Sequence, residues 1–408
     1  MGTEARMDGV APLYSPAFVQ DPYPTYRQHL AGPIVQASTT RRGVNLVFQY
    51  QACAALMRDP RLSSASRLPA FFPLESAERL ELADLREHLG QWLLLQDAPV
   101  HPRRRKLMNA GFTPAVMERL RPRIDAIVRR LLEALEVAAE PDLIRDLAYP
   151  LPVLVISALL GVPEALQQRC VVLSNDIAAW MGDPLRTIAS GRRAQAAALE
   201  LVEVFRASIA ARREAADDDL MGLLLAMARE DATLTPAELH AQCVMLLFAG
   251  HETTRNLIGN GLYTLLSHPA ALADVRTDDA AVRAAVEEVL RYESPVQGFG
   301  RGVTADIEYA GARLPAGTAV IFMVGAAQRD PRQVTDPDRF DIHRPHNRHL
   351  AFGADSHVCL GSTLARLEGQ VAIREVARRF PRMELVDQRP DWGPNPGFRG
   401  LSTLRVRL

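Results

Sequence analysis

The feature that most constrains this chain is a helical pattern of about 30 residues, well above the mean helix length. It begins at Thr235-Pro236-Ala237-Glu238, which combines an N-cap threonine, a proline at the first helical position and a carboxylate that closes a capping box. It continues to Ser267, before His268-Pro269 stops it. Its middle, Val244–Gly250, is apolar on all sides. Because a helix without a polar face has to be buried, we expect this helix to run through the core.

Composition places the chain among ordinary globular proteins. It has 408 residues, 48% of them hydrophobic, and its 47 basic and 48 acidic residues give a formal charge of −1. These values exclude disordered, collagen-like and coiled-coil chains, and near-zero charge argues against a nucleic-acid binder that works by bulk electrostatics. Cys53, Cys170, Cys243 and Cys359 form no CxxC pair. We therefore expect reduced thiols, and neither a disulfide framework nor a structural zinc site.

The chain shows no signal peptide and no membrane span. Its first residues are polar, and the longest apolar stretches, Leu151–Val162 and Cys243–Ala249, are too short to cross a bilayer. No repeat or Gly/Ser linker interrupts the sequence. We therefore predict one cytoplasmic domain that covers residues 1–408.

The fold is predicted to be mainly α with small β-sheets. From about residue 114 to residue 268 the apolar spacing is almost wholly helical. Short β-like segments lie outside this region, at Val44–Phe48, Asp306–Tyr309 and Thr318–Met323. The segment Gly311–Gly317 is rich in turn residues, so we predict a hairpin connection between the last two strands.

Polar residues interrupt the apolar middle of the long helix. Ala249-Gly250-His251-Glu252-Thr253-Thr254 places an acid and two β-branched alcohols after a glycine, and these are poor choices for mid-helix stability. Thr253 can bond back to the carbonyl of Ala249 and loosen the helix. One interpretation is a polar cluster bonded to neighbouring helices. The other is a local bulge where Glu252 and Thr253 deliver protons into an apolar site, and the segment alone leaves both open.

Glu288 and Arg291 lie three residues apart in a helix predicted around Ala281–Tyr292. Residues at this spacing share a face and can pair, although such pairs are common on protein surfaces. Arg301 and Arg344 follow downstream. Arginine is the basic residue that forms rigid bidentate contacts with carboxylates, so the pair is weak evidence by itself and gains interest from these downstream arginines.

The segment Phe352–Gly361 is the most specific, because Cys359 lies between a Gly/Asp-rich loop and a helix predicted over 360–380. A thiolate at a helix N-terminus is stabilised by backbone N–H groups and by the helix dipole. Such a sulfur suits nucleophilic catalysis or iron ligation. His349 and His357 nearby also allow a Cys/His metal site, although no second cysteine has a zinc-ligand spacing.

Together these segments resemble the cytochrome P450 family. Phe352–Gly361 is similar to the haem-binding loop F-G-x-G-x-H-x-C-x-G, Glu288-x-x-Arg291 to the E-x-x-R pair, and Ala249–Thr253 to the oxygen-binding helix motif. All three occur in family order and spacing, and shorter matches such as His101-x-x-x-Arg105 lie between and around them. The resemblance spans nearly the whole chain and implies the helix-rich, triangular-prism α+β fold of that family.

The resemblance implies a binding site for haem b (heme b, iron protoporphyrin IX). Cys359 would be the thiolate ligand of the iron, which makes it the metal-binding residue. His101, Arg105, Arg301 and His357 would hold the haem propionates, while Phe352, Gly361, Ala249 and Gly250 would line the haem and oxygen sites. Cys53, Cys170 and Cys243 would then be core thiols. Arg103 and Arg104 are expected to be solvated or partner-facing.

Two further sets of roles follow from the resemblance. Thr253 and Glu252 would be the catalytic alcohol and acid that guide protons, which favours ordinary monooxygenation. Glu288, Arg291 and Arg344 would form a structural triad behind the Cys359 loop. One departure is Asp355, which stands where the family loop has its second glycine. Asp tolerates a positive φ better than most residues, so we expect haem to bind with a somewhat altered loop.

The implied activity is insertion of one oxygen atom from O2 into a lipophilic molecule, by hydroxylation or epoxidation. The metabolism would be that of natural products (polyketides, terpenoids, macrocycles) or fatty acids. Electrons from NAD(P)H would arrive through a separate ferredoxin and ferredoxin reductase, and we expect a monomer. Arginines near 103–106 are candidate docking charges. One alternative is a peroxide-dependent or oxidative-coupling haem-thiolate enzyme, and another is a non-catalytic haem sensor or a zinc protein.

The resemblance places substrate contacts only by region, at 67–93, 174–186, 246–252, 296–299 and near 398. The apolar candidates there are Phe71, Phe72, Trp180, Met181, Leu246, Phe299 and Phe398. This set suits a lipophilic substrate, although core packing explains each aromatic residue equally well.

Overall fold

The structure is a computed structural model that describes residues 12–72, 76–183, 186–211, 220–230 and 234–408. Within them lie sixteen α-helices: α1 Pro16–Gln20, α2 Tyr23–Leu30, α3 Tyr50–Leu56, α4 Ser76–Glu81, α5 Ala83–Gly90, α6 Val100–Asn109, α7 Pro114–Glu136, α8 Pro150–Leu159, α9 Glu164–Gly182, α10 Ile188–Ala211, α11 Leu220–Glu230, α12 Pro236–Leu266, α13 Pro269–Thr277, α14 Asp279–Tyr292, α15 Val324–Ala327 and α16 Ser362–Arg379. More than half of the described residues lie in these helices, which confirms the mainly α class.

Eleven short strands complete the described part of the fold: β1 Val35–Ala37, β2 Val44–Val47, β3 Leu62–Ser63, β4 Phe299–Val303, β5 Ile307–Tyr309, β6 Ala312–Leu314, β7 Ala319–Phe322, β8 Glu384–Leu385, β9 Asp391–Trp392, β10 Leu401–Thr403 and β11 Val406–Arg407. Five of them form one sheet in the order β1-β2-β7-β4-β3. In this sheet β2 and β7 are parallel, and the other neighbours are antiparallel.

Helix α12 confirms the long buried helix, with 31 residues from Pro236 to Leu266. Its capping box is formed, because the Thr235 hydroxyl accepts from the Glu238 N–H and the Glu238 carboxylate accepts from the Thr235 N–H. The helix packs against α8, α9, α10, α14 and α16. Its residues Cys243 to Leu247 are all buried, as a helix that is apolar on all sides requires.

The predicted hairpin connection is wrong. Residues 311–317 contain strand β6, which pairs with β5 through a tight turn at Ala310 and Gly311, both of which have positive φ. Strand β7 instead pairs with β2 and β4. A two-residue hairpin of this type needs positive φ at both central positions. Alanine rarely adopts positive φ, so Ala310 gave no sign of a turn in the sequence.

Among the described helices, none is by itself long and apolar enough to cross a bilayer. One pair, Ile144–Leu159 with Glu164–Gly182, passes that test only when taken together, and it is bent by 117°.

Candidate active site

A cavity of about 400 Å³ lies beside α12 and carries most of the predicted site residues. One face of α12 lines it at helical spacing through Met245, Ala249, Thr253 and Leu257. The Cys359 loop, α6 and strands β4 and β7 supply the other walls. A helix buried through the core can present one face to an internal cavity, and this is where the polar cluster of α12 lies.

The loop before α16 directs Cys359 into this cavity. Gly353 and Asp355 have φ of +72° and +61°, and the Cys359 N–H donates to the Phe352 carbonyl at 2.8 Å. Cys359 has exposed surface and lines the cavity. Burial raises the pKa of the thiol, while the Gly361 N–H and the charges of Arg105 and Arg366 oppose that rise. The backbone stabilisation expected at a helix N-terminus is thus present.

His101, Arg105, Arg301 and His357 all line the same cavity. The rings of His101 and His357 are 4.0 Å apart between centroids, and Arg301 donates to the Gly300 carbonyl at 2.7 Å. Burial and the Arg301 charge lower the pKa of His357 to about 3, and burial also lowers that of Arg301 to about 10. Both shifts have the same main cause, which is that this part of the cavity is shielded from water. A positive charge there, such as that of Arg301, costs free energy unless an anion joins it.

The described side chains fit a haem. The Nε2 atom of His101 is buried and has no hydrogen-bond partner among the described residues, which suits an absent acceptor such as a propionate oxygen. The apolar walls suit a porphyrin, and the Cys359 sulfur suits its iron. Among the described residues, no group of three or more His, Cys, Asp or Glu is arranged to hold a metal ion, so the zinc alternative lacks a ligand set there.

Asp97 belongs to this cluster, although no sequence motif marked it. Burial raises its pKa, but hydrogen bonds from Ser63, Ser64 and Ala65 and the charge of His357 bring the pKa below its usual value. The Ser64 N–H donates to Asp97 at 2.8 Å. Asp97 is the carboxylate whose charge opposes the loss of protons from His101 and His357.

Thr253 and Glu252 both line the cavity from α12. The Thr253 hydroxyl donates to the Ala249 carbonyl at 2.9 Å, as expected. Glu252 pairs with Arg255 at 3.1 Å and accepts from Asn256 at 3.3 Å. The helix continues through 249–254 without a break, so the expected bulge does not interrupt it. Gly250 also lines the cavity, and a Cβ there would lie only 3.3 Å from Ile156.

Glu288, Arg291 and Arg344 meet at one buried point. Arg291 donates to both Glu288 oxygens, at 2.8 and 2.7 Å, and Arg344 lies 3.5 Å from the same carboxylate. The remaining Arg291 donors bond backbone carbonyls of residues 328, 337 and 339. Asn347 also donates to Glu288, at 3.1 Å, and was not anticipated. The network therefore joins α14 to the segment that precedes the Cys359 loop.

Four of the apolar substrate candidates line the cavity: Met181, Leu246, Phe299 and Phe398. Two expectations are wrong, since Phe72 and Trp180 are buried in the core, with ring centroids 5.7 Å apart. The two rings pack against each other in the core, which is the packing role that the sequence left open. The side chain of Phe71 lies outside the described part of the chain.

The prediction for Arg104 is also wrong. Its side chain is buried and pairs with Glu238 of α12, whereas Arg103 is exposed. The buried face of α6 runs through His101, Arg104 and Met108, a helical spacing that the run of basic residues concealed. The sequence analysis also missed Arg41, Arg67 and Arg186, which line the cavity.

Comparisons with known proteins agree with this site. A family model described as cytochrome P450 matches residues 25–403. The cytochrome P450 monooxygenase PikC of Streptomyces venezuelae is 40% identical over 96% of this chain and 92% of its own length. The 6-deoxyerythronolide B hydroxylase of Saccharopolyspora erythraea is 35% identical over 98% of this chain and its full length, 100%. P450BioI, solved with acyl carrier protein ligated to hexadec-9Z-enoic acid, has a TM-score of 0.88 at 35% identity, covering 97% of this chain and 100% of that one. The chain therefore belongs to the cytochrome P450 family.

Proposed function

We propose that this protein is a haem-thiolate monooxygenase that inserts one oxygen atom from O2 into a lipophilic small molecule. Enzymes of its family use haem b, O2 and electrons from NAD(P)H. The observation that carries the proposal is that one cavity contains the Cys359 thiol, the basic cluster around His101 and Arg301, and the Thr253–Glu252 pair. Each of the three parts has a separate structural explanation, and a haem-thiolate enzyme uses all of them at one site.

Cys359 would hold the haem iron, and His101, Arg105, Arg301 and His357 would hold the propionates. When bound, the haem activates O2 for insertion into a C–H or C=C bond. The Glu288–Arg291–Arg344 network lies behind the loop and would act through it, by keeping Cys359 in place. Its role would be folding and haem retention.

Thr253 and Glu252 would manage protons. The Thr253 hydroxyl holds a proton at the cavity wall, because its oxygen is fixed by the bond to the Ala249 carbonyl. Glu252 is the adjacent carboxylate that lines the cavity, and its ion pair with Arg255 at 3.1 Å orients it there. General acid–base groups need this access to the reacting molecule, and the apolar walls would exclude competing water.

The substrate would be an intermediate of natural-product or fatty-acid metabolism. The reaction would be a hydroxylation or an epoxidation. The relatives include proteins named 6-deoxyerythronolide B hydroxylase and vitamin D(3) 25-hydroxylase, and both names state a hydroxylation. Electrons would come from a separate ferredoxin and its reductase, in the cytoplasm, and the enzyme would act as a monomer. The exposed Arg103 and Lys106 nearby would contribute docking charge.

The difference spectrum of the reduced, CO-bound protein tests this proposal. We expect a Soret band at the thiolate-specific position, and we expect Cys359→Ser to abolish it. Cys170→Ala is the matched control, since this thiol is buried in the core and does not line the cavity. It should keep the band. A reconstituted protein without the band would contradict the proposal.

Measuring product formation with different electron sources distinguishes the monooxygenase from the peroxide-dependent alternative. Product that forms with ferredoxin, reductase, NADPH and O2, but not with hydrogen peroxide alone, supports the monooxygenase. Product that forms equally well with peroxide and no reductase would favour the alternative.

A further inference from the structure

Glu252 is a carboxylate on an apolar stretch of the cavity wall. Its side chain is 13% exposed, and it lines the cavity together with Met245, Ala249 and Leu257 of the same helix. A charge in such surroundings costs free energy unless a cation or hydrogen-bond donors compensate it. Among the described residues, Arg255 is the one ion-pair partner of Glu252. The position of this carboxylate therefore depends on what holds Arg255.

Arg255 has contacts with three segments of the chain. Its Nη1 lies 3.4 and 3.1 Å from the two oxygens of Glu252, three residues earlier in α12. Its Nη2 donates to the Leu401 carbonyl of β10 at 3.2 Å. Its guanidinium carbon lies over the Tyr149 ring, 5.3 Å from the centroid, which is within the range of a cation–π contact. Because the contacts come from three directions, the guanidinium has one preferred position.

The two outer supports of Arg255 are themselves fixed. The Tyr149 hydroxyl accepts from the side chain of Asn175 in α9 at 2.7 Å. Leu401 is buried and pairs with Trp392 in the β9–β10 ladder. Arg255 itself does not line the cavity. The fold around α12, and not the contents of the cavity, therefore sets where the guanidinium lies.

The two oxygens of Glu252 have unequal contacts. Oε1 has Arg255 at 3.4 Å and also accepts from the Asn256 side-chain amide at 3.3 Å. Oε2 has the shorter contact with Arg255, at 3.1 Å, and its described hydrogen bonds end there. Each carboxylate oxygen can accept about two hydrogen bonds. Oε2 thus keeps an acceptor position for a donor in the cavity, and it is the atom at which a proton would be held.

We propose that Arg255 is a positioning residue of the acid–alcohol pair, which fixes the Glu252 carboxylate so that Oε2 exchanges a proton with the cavity beside Thr253. The inference rests on the proposed monooxygenase function and adds to it a residue that no sequence motif marked. Since Arg255 does not line the cavity, it acts through Glu252 alone. An acid that is held in place transfers its proton faster than a mobile one, because the reacting geometry is already formed.

A double-mutant cycle tests whether Arg255 acts through Glu252. The variants are Arg255→Gln, Glu252→Gln and the two together, each as the haem-loaded protein. The first measurement is the infrared stretch of CO bound to the reduced protein, which responds to charge at the cavity wall. We expect Arg255→Gln alone to shift or split this band, since Glu252 is no longer held in one position. In the Glu252→Gln background it should leave the band unchanged. An unchanged band in Arg255→Gln, or the same change in both backgrounds, would overturn the inference.

The second measurement is the reaction with ferredoxin, its reductase, NADPH and O2, with methyl dodecanoate as the lipophilic probe. The rate of NADPH oxidation and the hydrogen peroxide formed per NADPH are both defined whether or not the probe is oxidised. We expect Arg255→Gln to change at least one of them by about threefold or more, as part of the effect of a general acid. In the Glu252→Gln background the same substitution should change neither. A shifted CO band with both quantities unchanged would show that Arg255 holds Glu252 without serving proton transfer, which also overturns the proposal.

Two further variants separate this role from general stability. Arg255→Lys keeps a positive charge without the planar fork, so its values should lie between those of the wild type and Arg255→Gln. A lysine variant that departs further from the wild type than the glutamine variant would contradict the ion-pair role. Arg206→Gln is the matched control, because Arg206 and Glu203 form an exposed pair at the same three-residue spacing. It should leave both measurements as in the wild type.

The CO difference spectrum is recorded for every variant. An intact thiolate band together with equal effects of Arg255→Gln in the two backgrounds overturns this inference alone and leaves the proposed function standing. A missing band in the wild-type protein overturns the proposed function instead.

Discussion

Arg291 directs all of its described hydrogen bonds to acceptors inside the protein. Its guanidinium bonds both oxygens of Glu288 and three backbone carbonyls, and neither side chain of the pair has exposed surface (0% each). Lysine offers three donors and no planar fork, so Arg291→Lys leaves buried acceptors unpaired. We expect the free energy of unfolding to fall by at least about 2 kcal/mol, as for other broken buried pairs. Urea denaturation and the ratio of bound haem to protein measure it.

The control for this prediction is Arg206→Lys. Arg206 and Glu203 have the same three-residue spacing in a helix, but both are exposed. Surface pairs of this kind contribute less than about 1 kcal/mol, so we expect little change. If both variants lose the same stability, the buried network is not what stabilises the segment before the Cys359 loop.

Asp355 gives a second prediction at the scale of one residue. It occupies the left-handed region at φ +61°, where a side chain costs roughly 1 kcal/mol and glycine costs none. Asp355→Gly should therefore stabilise the haem-loaded protein by up to about 1 kcal/mol, as measured by urea denaturation. Gly353 has φ +72°, so Gly353→Ala should destabilise it. Shifts in the same direction for both would contradict the role of positive φ in this loop.

Helix α12 provides a prediction at the scale of an element, because it holds two threonines in similar bonds. Thr253 donates to Ala249 beside the cavity, and Thr264 donates to Asn260 at 2.7 Å away from it. Thr253→Val removes the hydroxyl that holds a proton at the cavity wall, while it keeps the side-chain volume. We expect product formed per NADPH oxidised to fall severalfold and hydrogen peroxide to rise, with the CO band unchanged. Thr264→Val should leave this ratio as in the wild type, and an equal effect of the two would assign the loss to helix packing.

At the same scale, the elements differ in how well the sequence predicted them. Helices α12 and α14 followed from caps, proline stops and apolar spacing, which are local signals. Strand β6 was missed because its turn uses Ala310 instead of a glycine pair. Burial of Arg104 was also missed, since its partner Glu238 lies 134 residues away in sequence. Contacts over such separations have no local sign in a single sequence.

The whole molecule shows why the candidate site could be predicted only in part. Cys359, His101 and Thr253 were placed by family motifs, and the structure brings them to one cavity. The wall of the cavity has no motif, so Phe72 and Trp180 could not be distinguished from Met181 and Phe398. Which apolar side chains line the space depends on the packing of separate helices, as does the gathering of arginines there.

Buried histidines make the stability of the whole molecule depend on pH. Burial and Arg255 lower the pKa of His251 to about 3, and burial lowers that of His88 to about 4. Below the unfolded value of 6.5, the unfolded chain takes up protons that these folded rings exclude. Their contribution is therefore fully present above pH 6.5 and is lost as the pH falls. Between pH 6.5 and 5 we expect a loss of roughly 1.5 kcal/mol from each, because the slope approaches its full value of about 1.4 kcal/mol per pH unit only below pH 6.

His251→Phe isolates one of these rings. His251 has no exposed surface, neither ring nitrogen has a partner among the described residues, and its ring contacts Tyr149 edge-on at 5.2 Å between centroids. Phenylalanine keeps the aromatic contact and removes the titrating group, so the slope of unfolding free energy against pH should fall by about 1.4 kcal/mol per pH unit between pH 5 and 6. His343→Gln is the control, because His343 is exposed. Urea denaturation of the haem-loaded proteins at several pH values gives the slopes. Since the variant can gain or lose stability at neutral pH through packing alone, the slope carries the test, and a slope equal to that of the wild type would show that His251 is charged in the fold.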